Sequence, residues 1–286
     1  MTRDDASSKV PDPRELAAAD IRLVVADMDG TLLDDSHAVP AGFWPVLEVM
    51  QERGIAFAPA SGRQSATLAG LFDSHLQGMA LIAENGSYVV RDGAEVSSAT
   101  IDREVVVGVV EAVRAAVNEG YDLGVVVCGK RSAYIERTDK PFREECDKYY
   151  VALREESDVL APDDDVLKVA IFDFGSAVES VTLFTQFERL GAGHQVVVSG
   201  QHWIDIMAEG VNKGAAVRAL QAEMGITRDQ TAVFGDYFND AEMLDEAHWS
   251  FAMANAHPGI KARANYLAPS SSDGGVVTVL QQMLAE

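Results

Sequence analysis

Basic residues are scarce in this chain of 286 residues: Lys and Arg number 23 against 45 Asp and Glu, a formal net charge of −22. So acidic a surface argues against a nucleic-acid backbone or an anionic membrane as partner. A phosphorylated small molecule could bind only in a local pocket with its own cation. Cysteine is nearly absent. Two residues, Cys128 and Cys146, are too few for a disulfide framework, and no Cys/His cluster has zinc spacing. Both thiols are expected to be free, in a reducing cytoplasm. No stretch approaches the ~18 uncharged apolar residues of a membrane helix. The opening segment "MTRDDASSKVPDPRELAAAD" has no apolar core of a secretory signal, and residues 1–19 are expected to be a flexible lead-in. Repeats and low-complexity tracts are also missing.

What is present is an ample apolar content, 48%, arranged in two styles. Ile21–Ala26 is a continuous apolar run, as in a strand covered on both faces. Phe43, Leu47 and Met50 then fall at helical spacing over 41–53, with Gly54 as C-cap. Ile55–Ala58 reads as a strand, Gln64–Phe72 as a helix and Met79–Ala83 as a third strand. Strand–helix alternation of this kind predicts a parallel sheet with right-handed crossovers. From Ser87 the style changes. "SYVVRDGAEVS" reads as a hairpin turning at Asp92-Gly93, followed by a helix over 104–119 and strands around Gly129-Lys130. An alternating strand over 166–174, a helix over Val178–Leu190 and two strands in "HQVVVSGQHWIDIMAEG" come next. The first style returns with an amphipathic helix over 213–224, strands at 231–234 and "WSFAMAN", and a closing helix over 276–285. The expected fold is therefore α/β: a Rossmann-like three-layer parallel-sheet core over 20–86 and 206–286, interrupted by an inserted α+β cap domain over 87–205.

Three apolar strands run straight into polar residues: "LVVADMDGT", "AFAPASGR" and "AVFGDYFND". Ligands of open parallel sheets bind beyond the carboxyl ends of the strands. If these strands are neighbours, Asp27, Asp29, Ser61, Asp236, Asn239 and Asp240 converge on one crevice. The plainer alternative is that acids and glycines end strands because they make turns. Asp27 and Asp29 pose the sharper question, since like charges at i and i+2 repel unless a cation lies near. An all-oxygen donor set suits Mg²⁺, which takes one or two carboxylates. Asp27 and Asp236 would be its side-chain ligands, with the Asp29 carbonyl as a third. A carboxylate facing a phosphoryl group can attack it, and a second carboxylate two residues on can protonate the leaving oxygen and then deprotonate water. Ser61 can donate a hydrogen bond to the phosphoryl group. Lys213, opening a helix in "GVNKGAAVRAL", can supply positive charge. Met28, between the two acids, is expected to point into the core.

At these residues the chain resembles a known family, the haloacid dehalogenase-like (HAD) phosphatases, in the Cof-like type IIB branch with a large cap. "DMDGT", "ASGR", "NKG" and "GDYFND" match its four motifs in order, and "ENGS", "AMANA" and "SSSDGG" match weaker signatures of the branch. The resemblance implies a Mg²⁺-dependent phosphatase acting on small phosphorylated metabolites such as sugar phosphates, pyridoxal phosphate or FMN. Asp27 would be the nucleophile and Asp29 the general acid/base. Ser61, Gly62, Lys213 and Asn239 would hold the phosphate, with Thr31 and Asp240 in support. A phosphotransferase or phosphomutase on the same core is the first alternative, and a non-catalytic phosphometabolite-binding regulator the second. A monomer or small homo-oligomer is expected. Tyr237 and Ala254 depart from the usual pattern, which often has a small residue and a glycine there. In the cap, Gly129, Lys130, Arg131 and Tyr134 could face the substrate or form a plain exposed hairpin. Trp203 is expected in the core, and His202 has no assignable role.

Overall fold

Short fully buried strands are what the apolar runs become. In the computed structural model, which describes residues 9–177, 194–198 and 201–285, the chain divides into two compact units. The first comprises the residues up to Gly62, Leu68–Ser97 and those from Asn212 on; the second comprises Arg63–Thr67 and Ser98–Val211.

The first unit opens with α1 (Pro13–Ala17), within the segment expected to be a flexible lead-in. The Asp12 carboxylate accepts from the Arg14 amide at 2.8 Å, Pro13 suits the first turn of a helix, and Leu16 is fully buried. Lys9 donates to the carbonyls of Lys261, Ala262 and Ala264. Burial of a single leucine and one lysine on a helix end tie this segment down, a signal too small to read in the sequence. Then follow β1 (Leu23–Asp27), α2 (Phe43–Glu52), β2 (Ala56–Ala60), α3 (Ser65–Phe72), β3 (Ala80–Ala83), β4 (Tyr88–Arg91) and β5 (Ala94–Ser98). Helix α2 buries Phe43, Val46, Leu47 and Met50, and Gly54 follows at φ +69°, the left-handed cap its position predicted.

The second unit adds α4 (Arg103–Asn118), β6 (Leu123–Gly129), β7 (Ala133–Ile135), α5 (Lys140–Asp147), β8 (Leu153–Glu155), β9 (Val166–Asp173), β10 (His194–Val198) and β11 (Trp203–Ala208). They include a six-stranded sheet in the order β10-β11-β9-β6-β7-β8. All eight residues of β9 are buried; the expected alternation is lost because apolar clusters cover both faces of this sheet. Helix α5 carries no clear apolar stripe in the sequence. Its sequence, KPFREECD, buries only Phe142 and Cys146. The helix expected at Val178–Leu190 lies outside the described residues.

The chain returns to the first unit with α6 (Lys213–Met224), β12 (Thr231–Gly235), α7 (Ala241–Asp245), β13 (Trp249–Met253), α8 (Pro258–Arg263), β14 (Tyr266–Ala268) and α9 (Gly275–Met283). Its eight-stranded sheet runs β14-β13-β12-β1-β2-β3-β4-β5. The strands from β14 to β3 are parallel, and β4 joins β3 antiparallel. The α/β class with a parallel core is as expected. Both boundaries of the insert move. The β4–β5 hairpin, turning at Asp92 (φ +49°) and Gly93 (φ +77°), extends the first sheet instead of opening the second unit. Strand β11 pairs with β9 and β10, so the second unit runs on to Val211. A hairpin has the same local pattern whichever sheet it joins, so the sequence cannot place it.

Among the described residues, no helix is long and apolar enough to cross a membrane. Cys128 and Cys146 are both buried.

Candidate active site

Strand β1 lies between β12 and β2. The register sets Asp27 against Ala60 and Ala26 against Phe234. The loops after the three strands therefore leave the same edge of the sheet. Asp27 ends β1 almost fully buried, and Met28 is fully buried. Gly30 carries the turn that follows at φ +81°, where a Cβ would overlap the Asp236 carboxylate. The two acids of "DMDGT" part company here. Asp29 is about half exposed, with its Oδ1 3.1 Å from Nδ1 of His37.

The cation comes from α6. Asn212 caps this helix, its side chain accepting from the Ala215 amide at 2.8 Å, and Lys213 follows, 1% exposed. Gly86 (φ +101°) in the "ENGS" turn lies against the Asn212 carbonyl, leaving no room for a side chain. Lys213 Nζ donates to Asp27 Oδ1 at 2.5 Å and to Asp240 Oδ1 at 2.7 Å. A buried ammonium needs such partners. Burial alone would lower the Lys213 pKa, but Asp240 and Asp27 outweigh it and raise it above the usual lysine range.

Asp240, fully buried, organises the third loop. Its Oδ2 accepts from the backbone amides of Asp236 (2.9 Å) and Tyr237 (3.2 Å). Asp236 accepts from the Thr31 hydroxyl at 3.2 Å. Oxygens of Asp27, Asp236 and Asp240 all lie within 4.8 Å of one another. Burial, and then Asp240, push the Asp27 pKa well above the carboxylate range despite Lys213. The same two influences raise Asp236 to about 6. Asp240 is taken up by Lys213 and two amides, so Asp27 and Asp236 are the carboxylates of this cluster that could hold a hard divalent cation. Such carboxylate oxygens are the donors Mg²⁺ prefers.

Ser61 is buried just beyond β2. Its amide donates to the Ile82 carbonyl and its carbonyl accepts from the Asn85 amide, both at 2.9 Å. A Cβ on Gly62 would press on the Asn85 side chain. The structure thus brings Asp27, Thr31, Lys213, Asp236 and Asp240 into one cluster. Ser61 and Gly62 lie at the neighbouring strand end. Asn239 is exposed, and Lys213 is held by Asp240 and Asp27. Tyr237 is exposed, its ring edge-on to Phe238. In the second unit, Tyr134 donates to Asp164, Lys130 pairs with Asp165 and Arg131 with Asp164. That turn uses its own acids. Trp203 is half-buried and stacks edge-on with Phe172.

Three residues were missed: His37 beside Asp29, Asn85 beside Ser61, and Asn255, whose side chain links the Gly30 carbonyl to the Ser271 amide. Asn85 and Asn255 sit in the quoted signatures "ENGS" and "AMANA". His37 carried no signal.

Known proteins give the same picture. The family model of haloacid dehalogenase-like hydrolases matches residues 24–280. Over 271 residues the chain is 32% identical to a 5-amino-6-(5-phospho-D-ribitylamino)uracil phosphatase of Escherichia coli K12, covering 92% of this chain and 96% of that one. It is 27% identical over 250 residues to an HMP-PP phosphatase of Cronobacter sakazakii, covering 86% and 89%. A solved haloacid dehalogenase-like hydrolase from Bacteroides thetaiotaomicron shares the fold, with a TM-score of 0.81 at 24% identity over 92% of this chain and 99% of that one. The chain therefore belongs to the haloacid dehalogenase-like hydrolases, as an enzyme of their Cof-like phosphatase branch.

Proposed function

We propose that this enzyme is a Mg²⁺-dependent phosphatase that cleaves small phosphorylated metabolites through a phosphorylated Asp27. The observation that carries this reading is the buried Lys213 ammonium shared by Asp27 and Asp240. A cation placed there neutralises a phosphoryl group as it meets a carboxylate. Lys213 engages Oδ1 of Asp27, and Oδ2 attacks phosphorus. The bond from phosphorus to the leaving oxygen breaks as Asp29 gives that oxygen its proton. Water then attacks phosphorus, Asp29 takes the water's proton, and inorganic phosphate leaves Asp27 free. Asp27, Asp236 and the Asp29 carbonyl would hold Mg²⁺, which supplies charge to the phosphoryl oxygens and relieves the repulsion among the carboxylates. Ser61 and the Gly62 backbone hold the phosphoryl group, with Asn239 at its rim.

For the substrate, the relatives' activities point to 5-amino-6-(5-phospho-D-ribitylamino)uracil first and HMP-PP second. Sugar phosphates, pyridoxal phosphate and FMN follow. With net charge −22, the local cations must draw such anions in. A cytoplasmic location is part of this reading, in keeping with a chain that has only two cysteines. The test is phosphate release from these compounds with Mg²⁺ or with chelator, beside Asp27→Asn. Release that needs Mg²⁺ and vanishes in the variant is expected. Equal rates in the variant overturn Asp27 as nucleophile. Transfer of the phosphoryl group to an added acceptor, with little free phosphate, would make the enzyme a phosphotransferase.

A further inference from the structure

We infer that Asn255 is a positioning residue that locks the catalytic turn. This rests on the roles given above to Asp27 and Asp29. The turn after Asp27 bends through Gly30 at φ +81° and closes where the Leu33 amide donates to the Met28 carbonyl at 2.9 Å. That bond holds the ends of the turn and leaves its apex to other groups. At the apex, Asn255 Nδ2 donates to the Gly30 carbonyl at 2.7 Å. Asn255 Oδ1 accepts from the Ser271 amide at 3.0 Å. The next residue in the turn, Thr31, donates to Asp236. The peptide between Gly30 and Thr31 is thus fixed from both sides, and Asp29 directly precedes it.

The support of Asn255 also reaches the third loop. It stands two residues past β13, in a bend closed by the Ala256 amide on the Met253 carbonyl (2.9 Å), and the His257 amide donates to the Asp236 carbonyl at 2.9 Å. One short segment therefore sets the spacing between the nucleophile turn and the Asp236 loop. The task requires a side chain with one donor end and one acceptor end, which an amide offers and a carboxylate does not. Asn255 is exposed, so water can replace both bonds when it is lost, and folding should suffer little. Geometry should suffer more, since a misplacement of about 1 Å can cost on the order of 100-fold in rate.

Three variants test this. Asn255→Ala removes both bonds. Asn255→Asp keeps the acceptor for Ser271 and loses the donor to Gly30. Ser271→Pro removes the amide that Asn255 accepts from and sets the proline ring against Asn255 Oδ1, leaving the Asn255 side chain itself intact; Ser270 already has φ −66° and ψ 160°, the extended form a residue before proline adopts. The expected result is a kcat lower by about 10- to 100-fold in both Asn255 variants, with KM within about two-fold and melting temperature nearly unchanged. Ser271→Pro should fall between them and wild type. Hydrogen exchange measured by mass spectrometry should speed up over 28–33 and not in the sheet strands. A wild-type kcat in Asn255→Asp, or unchanged exchange over 28–33 in Asn255→Ala, overturns the inference. Should wild type release no phosphate from any compound, the functional reading fails, and the exchange result still decides the tether.

Discussion

Lys213 and Asp27 stand 186 positions apart in the chain, and Nζ of one lies 2.5 Å from Oδ1 of the other. That ammonium is shared between Asp27 and Asp240, and a third carboxylate, Asp236, stands within 4.8 Å of both acids. The cluster is short of positive charge, and its members respond in opposite senses to losing theirs.

Removing the cation should be costly. Lys213→Ala leaves Asp27 and Asp240 buried and uncompensated, a loss of about 3–5 kcal/mol. Asp27→Asn does the reverse in chelator. The charged form of Asp27 is disfavoured by burial and by Asp240 more than Lys213 favours it, so its neutral counterpart should be more stable by about 1 kcal/mol or more. Both variants should lose phosphatase activity. Denaturant unfolding in chelator checks the pair. Destabilisation of Asp27→Asn comparable to that of Lys213→Ala would mean that Asp27 is held as a structural partner of the lysine.

The same imbalance sets a pH dependence. Asp236 is raised to about 6 and Asp27 is raised too, both from 3.8. Between those limits the folded chain holds protons that the unfolded chain has lost, so stability falls as pH rises. The fall begins near pH 4, and each carboxylate contributes up to about 1.4 kcal/mol per pH unit until its folded pKa is passed. Mg²⁺ binding displaces those protons and should reverse the trend. Melting temperatures from pH 5 to 8 should drop with pH in chelator, and the gap to Mg²⁺-loaded samples should widen. A constant gap would show that the ion displaces no protons from the site.

How far the sequence foretold this site depends on the kind of signal. Asp27, Asp236 and Asp240 were legible because they stand at or just past the end of a buried strand, and the parallel order of β12, β1 and β2 does the rest. Lys213 was legible from its place at a helix start. Asn255 and His37 were not, because their roles depend on where an exposed loop folds back: His37 adopts φ +58° in a bend held by Asp34, whose carboxylate accepts from the Ser36 and Ala38 amides. In the fold, the hairpin expected in "SYVVRDGAEVS" joins the eight-stranded sheet instead of the second unit, since an alternating pattern names a strand and not its neighbour.

Gly30 should be the least replaceable small residue of the site. Its φ of +81° costs a side chain about 1–2 kcal/mol, and the new Cβ would overlap the Asp236 carboxylate. Gly30→Ala must displace the Asp236 carboxylate, so Mg²⁺ affinity measured by calorimetry should fall at least about ten-fold, the equivalent of about 1.4 kcal/mol. Unfolding in chelator should show only the smaller backbone cost. Unchanged affinity would mean that Asp236 is not a ligand.

Asp29 offers the cleanest separation of chemistry from folding, because its carboxylate is about half exposed and its partner His37 is more exposed still. Exposed pairs of this kind add little stability, so Asp29→Ala should melt close to wild type. Turnover of alkyl phosphates should fall by about 10²–10⁴-fold, the range lost with a general acid/base. An aryl phosphate with an acidic phenol as leaving group behaves differently. Its leaving oxygen needs no proton, so the first step survives, while water attack on the phosphorylated Asp27 lacks its base. The phosphoenzyme should then accumulate, and intact mass spectrometry should show a chain heavier by one HPO₃, absent when Asp27→Asn is added to the same variant. Equal loss on both substrate classes with no phosphoenzyme would remove Asp29 from the proton-transfer role and leave it only its backbone carbonyl.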